Sequence, residues 1–362
     1  MNWREDFLLE GDSPEVALRG QFQLAMYAIH LSLGNSIYCR AIRAATIEQY
    51  VLALAMFLMH FTGVDFRKDR PGDSQFGHIL APVFKELRRY DALPNKKEPY
   101  NATMHRAGVA AAGELPRDHL IPALVDGFAV GYLAGHRLSE WAQPGSHHDV
   151  TRPQLGEPDV NPHRTRALVP NDVRILTHTR DRAVGLAILD TPVESIARLW
   201  LKWRYQKNQQ NGIEKLFVPN PDPHGICCVR AVYSSLSRFA RLRARDNRLD
   251  PWVTPLSVYW NPRVACVRLI NAHYIETFMR RLAASVYHLD PVVDAADLKR
   301  WSSRSLRIGA CVTLHTMGFT PLDIQWILRW RSTAFMEYLR NTPTLSGRQV
   351  EAYNRAGAMP CL

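Results

Sequence analysis

Residues 329–341 read RWRSTAFMEYLRN. The segment holds one tyrosine, Tyr338, with Arg329, Arg331 and Arg340 close by and Trp330 eight residues upstream. Two readings compete for that tyrosine. A lone tyrosine is commonly a half-buried helix residue whose ring packs and whose hydroxyl finds a partner. A tyrosine among arginines can also be a nucleophile toward a phosphate, because guanidinium groups bind phosphate oxygens through paired N–H donors. The segment alone supports both. The decision rests on whether the rest of the chain supplies the other groups that phosphoryl chemistry needs.

The chain has 362 residues, enough for two domains with cores of their own. Its 46% hydrophobic and 22% charged content is that of a soluble globular protein and excludes a disordered one. The net charge is +11, from 45 Lys and Arg against 34 Asp and Glu. That excess points to a polyanion, either nucleic acid or an anionic membrane surface, although a merely basic soluble enzyme has the same balance. The six cysteines, Cys39, Cys227, Cys228, Cys266, Cys311 and Cys361, form no CxxC pair and read as reduced intracellular thiols. The start, MNWREDFLLEGD, is acidic and lacks the apolar centre of a signal peptide. The longest apolar run, YVLALAMFLMHF, falls short of the roughly 20 residues that span a bilayer, so no membrane partner is expected. The expected location is intracellular: nuclear in a eukaryote, cytoplasmic in a bacterium or phage.

The pattern along the chain gives a mainly helical α+β fold with a small antiparallel hairpin. Residues 15–62 read as helices, with Ile47, Val51, Leu54, Leu58 and Phe61 on one face, Thr46 as cap and Gly63 as terminator. A short helix is expected over 77–90. Residues 91–101, polar and proline-bearing, read as a linker. The domains are therefore expected at 1–90, helical, and 102–344, followed by a tail at 345–362. The run from His119 to Gly135 carries Asp126 in an otherwise apolar sequence and reads as a buried helix. His147, His148 and His163 lie in a proline-rich loop without metal-ligand spacing, and no carboxylate cluster or HExxH set appears, so no metal is expected. The alternation in SIARLWLKWRY, followed by KNQQNG, marks a strand and a hairpin turn with Lys207 at its tip. After Pro223 the chain reads as helical to the end, with breaks near 250–263, 290–294 and 318–321.

Four further stretches stand beside the opening one in a fixed order: GHRLSEW with Arg137 and Glu140, three apart on a helix; QKN with Lys207; SSRSLRIGA with Arg304 and Arg307, three apart at a helix head; and DIQWILRW with Trp330. Each has a bland reading as a surface salt bridge, a solvated turn lysine or a packed aromatic. As an ordered set ending in Tyr338, they resemble the tyrosine recombinase (phage integrase) superfamily, nearest its Cre-like and Crypton-like mobile-element members. The resemblance runs from about Gly127 to Asn341 and, more loosely, over the N-terminal helices.

The resemblance implies a SAM-like helical core-binding domain ahead of a recombinase catalytic domain. It implies that Arg137 and Arg307 are forks on the non-bridging phosphate oxygens, with Glu140 holding Arg137. Tyr338 would attack in line to give a 3′-phosphotyrosyl link. Lys207 would protonate the leaving 5′-oxygen, and Trp330 would donate its indole N–H and buttress the site. No cofactor is implied. The implied partners are double-stranded DNA and the protein itself, as a tetramer on two DNA sites that exchanges strands through a Holliday junction, with the tail docking on a neighbour. Arg40 and Arg43, and Arg238, Arg241, Arg243 and Arg245 in the run RFARLRARDNR, are expected to contact DNA. One departure is plain: the family's HxxR motif has Arg304 at its histidine. Arginine can donate to a phosphate but cannot act as a base near neutral pH. A binding protein that has lost cleavage, and a type IB topoisomerase, therefore stay open beside an active recombinase.

Overall fold

A computed structural model describes residues 14–35, 42–69, 76–91, 97–142, 167–204, 212–330 and 332–339. The chain divides into two compact units, Met1–Asn95 and Lys96–Leu362.

The first unit contains α1 (Pro14–Ser32), α2 (Ala44–Thr62) and α3 (Leu80–Tyr90). Their core is made by Leu24, Ala28 and Leu31 of α1, Ile47, Val51 and Ala55 of α2, and Leu80 and Phe84 of α3, joined by Phe66. Three- and four-residue spacing places each set on one face, and each large side chain fully buried contributes about 1.5–3 kcal/mol. Leu54 and Leu58 are half-buried against this core, whereas Phe61, expected on the same face, is 68% exposed. Gly63 ends α2 in the left-handed region at φ 75, as its position suggested. Thr46 does not cap α2. The helix starts two residues earlier, at Ala44, whose N–H donates to Asp91 Oδ1 at 2.8 Å. That cap comes from the far end of α3, 47 residues along the chain, and local sequence carries no sign of it. By length and composition alone α2 is apolar enough to cross a membrane, which the shorter apolar run had concealed. Here its Ile47 face is packed, while Met56 and Phe57 are exposed.

The second unit is built around α5 (Leu120–Ala134), the expected buried helix. His119 Nδ1 accepts from Ile121 N–H at 3.3 Å to cap it, and Gly135 closes it at φ 63. Its Leu124 and Phe128 face one core with α4 (Ala102–Ala112) and α7 (Ala272–Tyr287). Its Ala129, Val130 and Ala134 face a second core with α6 (Cys228–Arg245) and the sheet. A helix buried on both sides has no room for a free charge, and Asp126 is accordingly paired with Arg238 of α6.

The sheet is larger than the expected hairpin. β1 (Val173–Thr177), β2 (Arg182–Val184), β3 (Ile196–Lys202) and β4 (Glu214–Phe217) form an antiparallel sheet in the order β2-β1-β3-β4. β3 alternates as its sequence indicated, with Leu199 and Leu201 buried and Arg198 and Lys202 exposed. A second hairpin, β5 (Val258–Asn261) with β6 (Cys266–Leu269), interrupts the segment read as helical with breaks. Four residues is too short a run for alternation to show.

The C-terminal part carries α8 (Ala295–Leu298), α9 (Arg304–Thr316), α10 (Pro321–Ile327) and α11 (Met336–Leu339). Residues 97–100, inside the stretch read as linker, belong to this unit. Glu98 N–H donates to Arg300 O at 3.0 Å and Tyr100 N–H to Ser305 O at 2.9 Å. A Cβ at Gly309 would lie 1.9 Å from the Tyr100 carbonyl oxygen, so only glycine admits this approach of backbone to helix.

Candidate active site

Arg304 opens α9 and Arg307 follows one turn later, so the two project along the same face. Arg304 is exposed, whereas Arg307 is 8% exposed. The Arg307 guanidinium carbon sits 4.2 Å from the centre of the Trp330 ring, and Nη2 donates to Leu328 O at 3.2 Å. Its Nε and Nη1 have no hydrogen-bond partner among the described residues. Burial, reinforced by the nearby Arg137 and opposed by Glu140, lowers its pKa to about 10, which still leaves a cation at neutral pH.

Arg137 and Glu140 share a face through a different geometry from the expected helix. Leu138–Glu140 is a single 3-10 turn with Arg137 at its N-cap. Glu140, 2% exposed, reaches back to accept from Arg137 N–H at 3.0 Å and from Arg137 Nη1 at 3.1 Å. Its backbone carbonyl takes Leu168 N–H at 2.9 Å, tying the turn to the chain just ahead of β1.

Tyr338 lies on α11, which Phe335 and Leu339 pin into a small core with Ala310, Cys311, Ile324 and Leu328. That leaves Tyr338 on the free side, 37% exposed, with its ring 5.8 Å from that of Trp330. The indole Nε1 of Trp330 is buried without a partner among the described residues. Arg137, Arg304, Arg307, Trp330 and Tyr338 together line one cavity of about 690 Å³. Five side chains from four separate parts of the chain thus meet in one cleft. A cleft carrying the guanidinium groups of Arg137, Arg304 and Arg307 with an indole N–H and a phenol can bind a phosphodiester and present a nucleophile to it.

Lys207 and Arg40 lie outside the described residues, as do the three loop histidines and the tail from 345. The strands flanking Lys207 do pair as a hairpin, with Trp203 N–H donating to Ile213 O at 3.0 Å. Among the surface arginines, Arg43 and Arg243 are exposed. Arg241 donates to Asp118 at 2.8 and 3.0 Å, and Arg245 lies 3.7 Å from the same carboxylate, so part of their charge is already answered. Arg238 corrects the sequence reading. It is 1% exposed, pairs with Asp126 and donates to Arg117 O at 2.9 Å, so it cannot touch DNA.

Several residues of the site were missed. Lys97, Glu276 and Arg280 also line the cavity. Lys97 Nζ donates to Lys299 O at 2.7 Å, and burial lowers its pKa, with Arg280 and Arg304 adding to the shift against Glu276. Arg280 donates to Glu276 at 2.9 Å. His136 is buried, with its ring 5.1 Å from that of Trp203. Burial first, then Arg329, Lys215 and Arg307, hold it well below its ordinary pKa and therefore neutral. Among the described residues, no group of three or more His, Cys, Asp or Glu is placed to hold a metal ion.

No protein-family model matches the chain, and no curated protein matches it in sequence. Among solved structures it is similar to the integrase of transposon Tn1549 in complex with transposon right-end DNA, at 13% identity and TM-score 0.42 over 92% of this chain and 84% of that one. The same integrase with circular intermediate DNA gives 15% identity and TM-score 0.42, covering 92% and 85%. The XerA recombinase gives 13% identity and TM-score 0.38, covering 92% and 91%. Likeness at this level carries no argument about chemistry, which rests on the cleft itself.

Proposed function

We propose that the chain is a DNA breaking-and-rejoining enzyme of the tyrosine recombinase kind, with Tyr338 as nucleophile. The observation that carries this reading is the convergence of Arg137, Arg304, Arg307, Trp330 and Tyr338 on one cleft. Arg137 and Arg307 bind the non-bridging oxygens of the scissile phosphate. Their fixed positive charge meets the charge that grows on those oxygens in the transition state. The Tyr338 oxygen forms a bond to phosphorus and gives up its proton to solvent, to which the residue is 37% exposed. The bond from phosphorus to the 5′-oxygen breaks, and that oxygen takes a proton, from Lys207 in this reading. A 3′-phosphotyrosyl link and a free 5′-hydroxyl result, and the reverse attack by a hydroxyl reseals the strand without ATP. In the same reading four copies act on two DNA sites and exchange strands in pairs.

Arg304 supports a second reading. It is a permanent cation at the cleft, and His136, the one histidine lining it among the described residues, is buried and neutral, so neither is a ready proton acceptor. A protein that kept DNA binding and lost cleavage would have this composition. One experiment separates the two. The native protein is incubated with a genomic DNA library, denatured and tested for covalently attached DNA, beside Tyr338→Phe. The recombinase reading expects an adduct with the native protein, none with Tyr338→Phe, and equal DNA retention by both. DNA retention without any native adduct selects the binding protein, and an adduct that survives in Tyr338→Phe places the nucleophile elsewhere.

A further inference from the structure

Arg329 precedes Trp330 and adopts φ 58, the left-handed region. Side chains other than glycine pay a steric penalty there, and a position chosen for stability alone would hold glycine. The arginine is nevertheless present, and it is 8% exposed. Its guanidinium carbon lies over Trp203, 4.0 Å from the ring centre, and Nη2 donates to Glu140 Oε2 at 2.9 Å. Nε and Nη1 have no hydrogen-bond partner among the described residues, so the buried cation is incompletely satisfied. A second cation, Lys215, sits close enough to be affected. Burial, and then Arg329, lower its pKa to about 8. Strain, a partly satisfied buried charge and a neighbouring like charge are each unfavourable, and their coincidence beside a candidate active site is a mark of function.

We propose that Arg329 is a positioning residue for strand cleavage, acting through Glu140 on Arg137 and through its own backbone on Trp330. The inference rests on the strand-transferase reading above. Glu140 is shared: Oε1 takes Arg137 Nη1, while Oε2 takes both Arg137 N–H and Arg329 Nη2. Arg329 thereby holds the carboxylate through Oε2, leaving Oε1 to Arg137 Nη1, so Glu140 keeps its grip on Arg137 when the latter binds substrate. The backbone half of the device is the run Ile327–Trp330. Ile327 O takes Lys215 Nζ at 2.7 Å, Leu328 O takes Arg307 Nη2 at 3.2 Å, and Trp330 N–H returns to Gln325 O at 2.9 Å. The left-handed residue between them turns the Trp330 ring onto Arg307.

The test uses a DNA site recovered by adduct trapping with the native protein. Single-turnover adduct formation and DNA affinity are measured for Arg329→Met, Arg329→Gly, Glu140→Gln and the double variant Arg329→Met with Glu140→Gln. Methionine keeps the volume over Trp203, and glycine relieves the backbone, so a folded variant is secured by one or the other. Displacement of a positioned group commonly slows chemistry on the order of 10²-fold, and that loss is expected in both Arg329 variants with DNA affinity unchanged. The double variant is expected to be no slower than Glu140→Gln alone. A native rate in folded Arg329→Gly, or losses that multiply in the double variant, would overturn the assignment while leaving the recombinase reading intact. A native protein that forms no adduct at all would overturn the recombinase reading, and this inference with it.

Discussion

Arg238 on α6 and Arg307 on α9 are both buried arginines of the second unit, and they are completed in opposite ways. Arg238 meets a carboxylate, Asp126, and a backbone carbonyl, and Asp126 is further held by Ser234 Oγ at 2.8 Å. Burial raises the Asp126 pKa, and Arg238 is the main influence pulling it back. The group is a closed pair inside the protein. Among the described residues Arg307 has no carboxylate of its own: it touches a ring and one carbonyl, with Glu140 engaged by Arg137 and Arg329. A guanidinium stripped of water without a counter-charge is expensive unless something else supplies the charge. On the proposed reading the missing anion of Arg307 is the substrate phosphate, whereas for Arg238 the fold supplies it. The contrast separates an arginine closed off inside the fold from one left open to a ligand, without reference to motif.

Substitutions at three arginines put that contrast at risk, in order of expected effect. Arg238→Ala leaves Asp126 buried and unpaired and should destabilise the second unit by about 3–5 kcal/mol. Replacing both partners, Arg238→Met with Asp126→Leu, should recover most of this, since two matched apolar groups carry no desolvation penalty. Denaturant unfolding reads both, and a loss of stability under about 1 kcal/mol for Arg238→Ala would erase the distinction. Arg307→Ala should behave in the reverse sense. Cleavage should fall on the order of 10²–10³-fold while stability falls by much less than in Arg238→Ala, because only the Leu328 carbonyl loses a donor and no buried charge is orphaned. If Arg307→Ala unfolds as readily as Arg238→Ala, Arg307 is structural too. Arg304 is the smallest case, an exposed cation with a replaceable role. Arg304→His should cleave at least as fast as native, within about tenfold, with a rate that rises as pH passes through the imidazole pKa. An Arg304→His protein as slow as Arg304→Ala would mean the site is built around a permanent cation.

The parts of the molecule that were legible are those in which local pattern and final role coincide. α5 announced itself as a buried helix, β3 as an alternating strand, and Arg304 with Arg307 as one helical face. The ordered motifs brought five side chains to a single cleft, although their spacing in sequence says nothing of distance. What stayed hidden depends on partners far along the chain. Arg238 looked like surface charge because Asp126, 112 residues earlier, cannot be matched to it by pattern. The cap of α2 by Asp91 and the approach of Lys97 to the cleft share that cause. Arg329 was visible beside the tyrosine, but its left-handed backbone and its bond to Glu140 were not. β5 and β6 were too short to leave a period.

The contact of residues 97–100 with the start of α9 has a consequence in time. Glu98 with Arg300 and Lys97 with Lys299 each close a loop of 202 residues. Contacts so distant in sequence form late, after the entropy of joining the ends has been met. During synthesis the segment bearing Lys97 leaves the ribosome long before the helix it must clasp. Arg304 and Arg307 sit on that helix, and Tyr338 follows it. The cleft therefore closes only when nearly the whole chain has emerged, and a truncated or stalled product would carry the arginine of the first motif without the rest of the cleft.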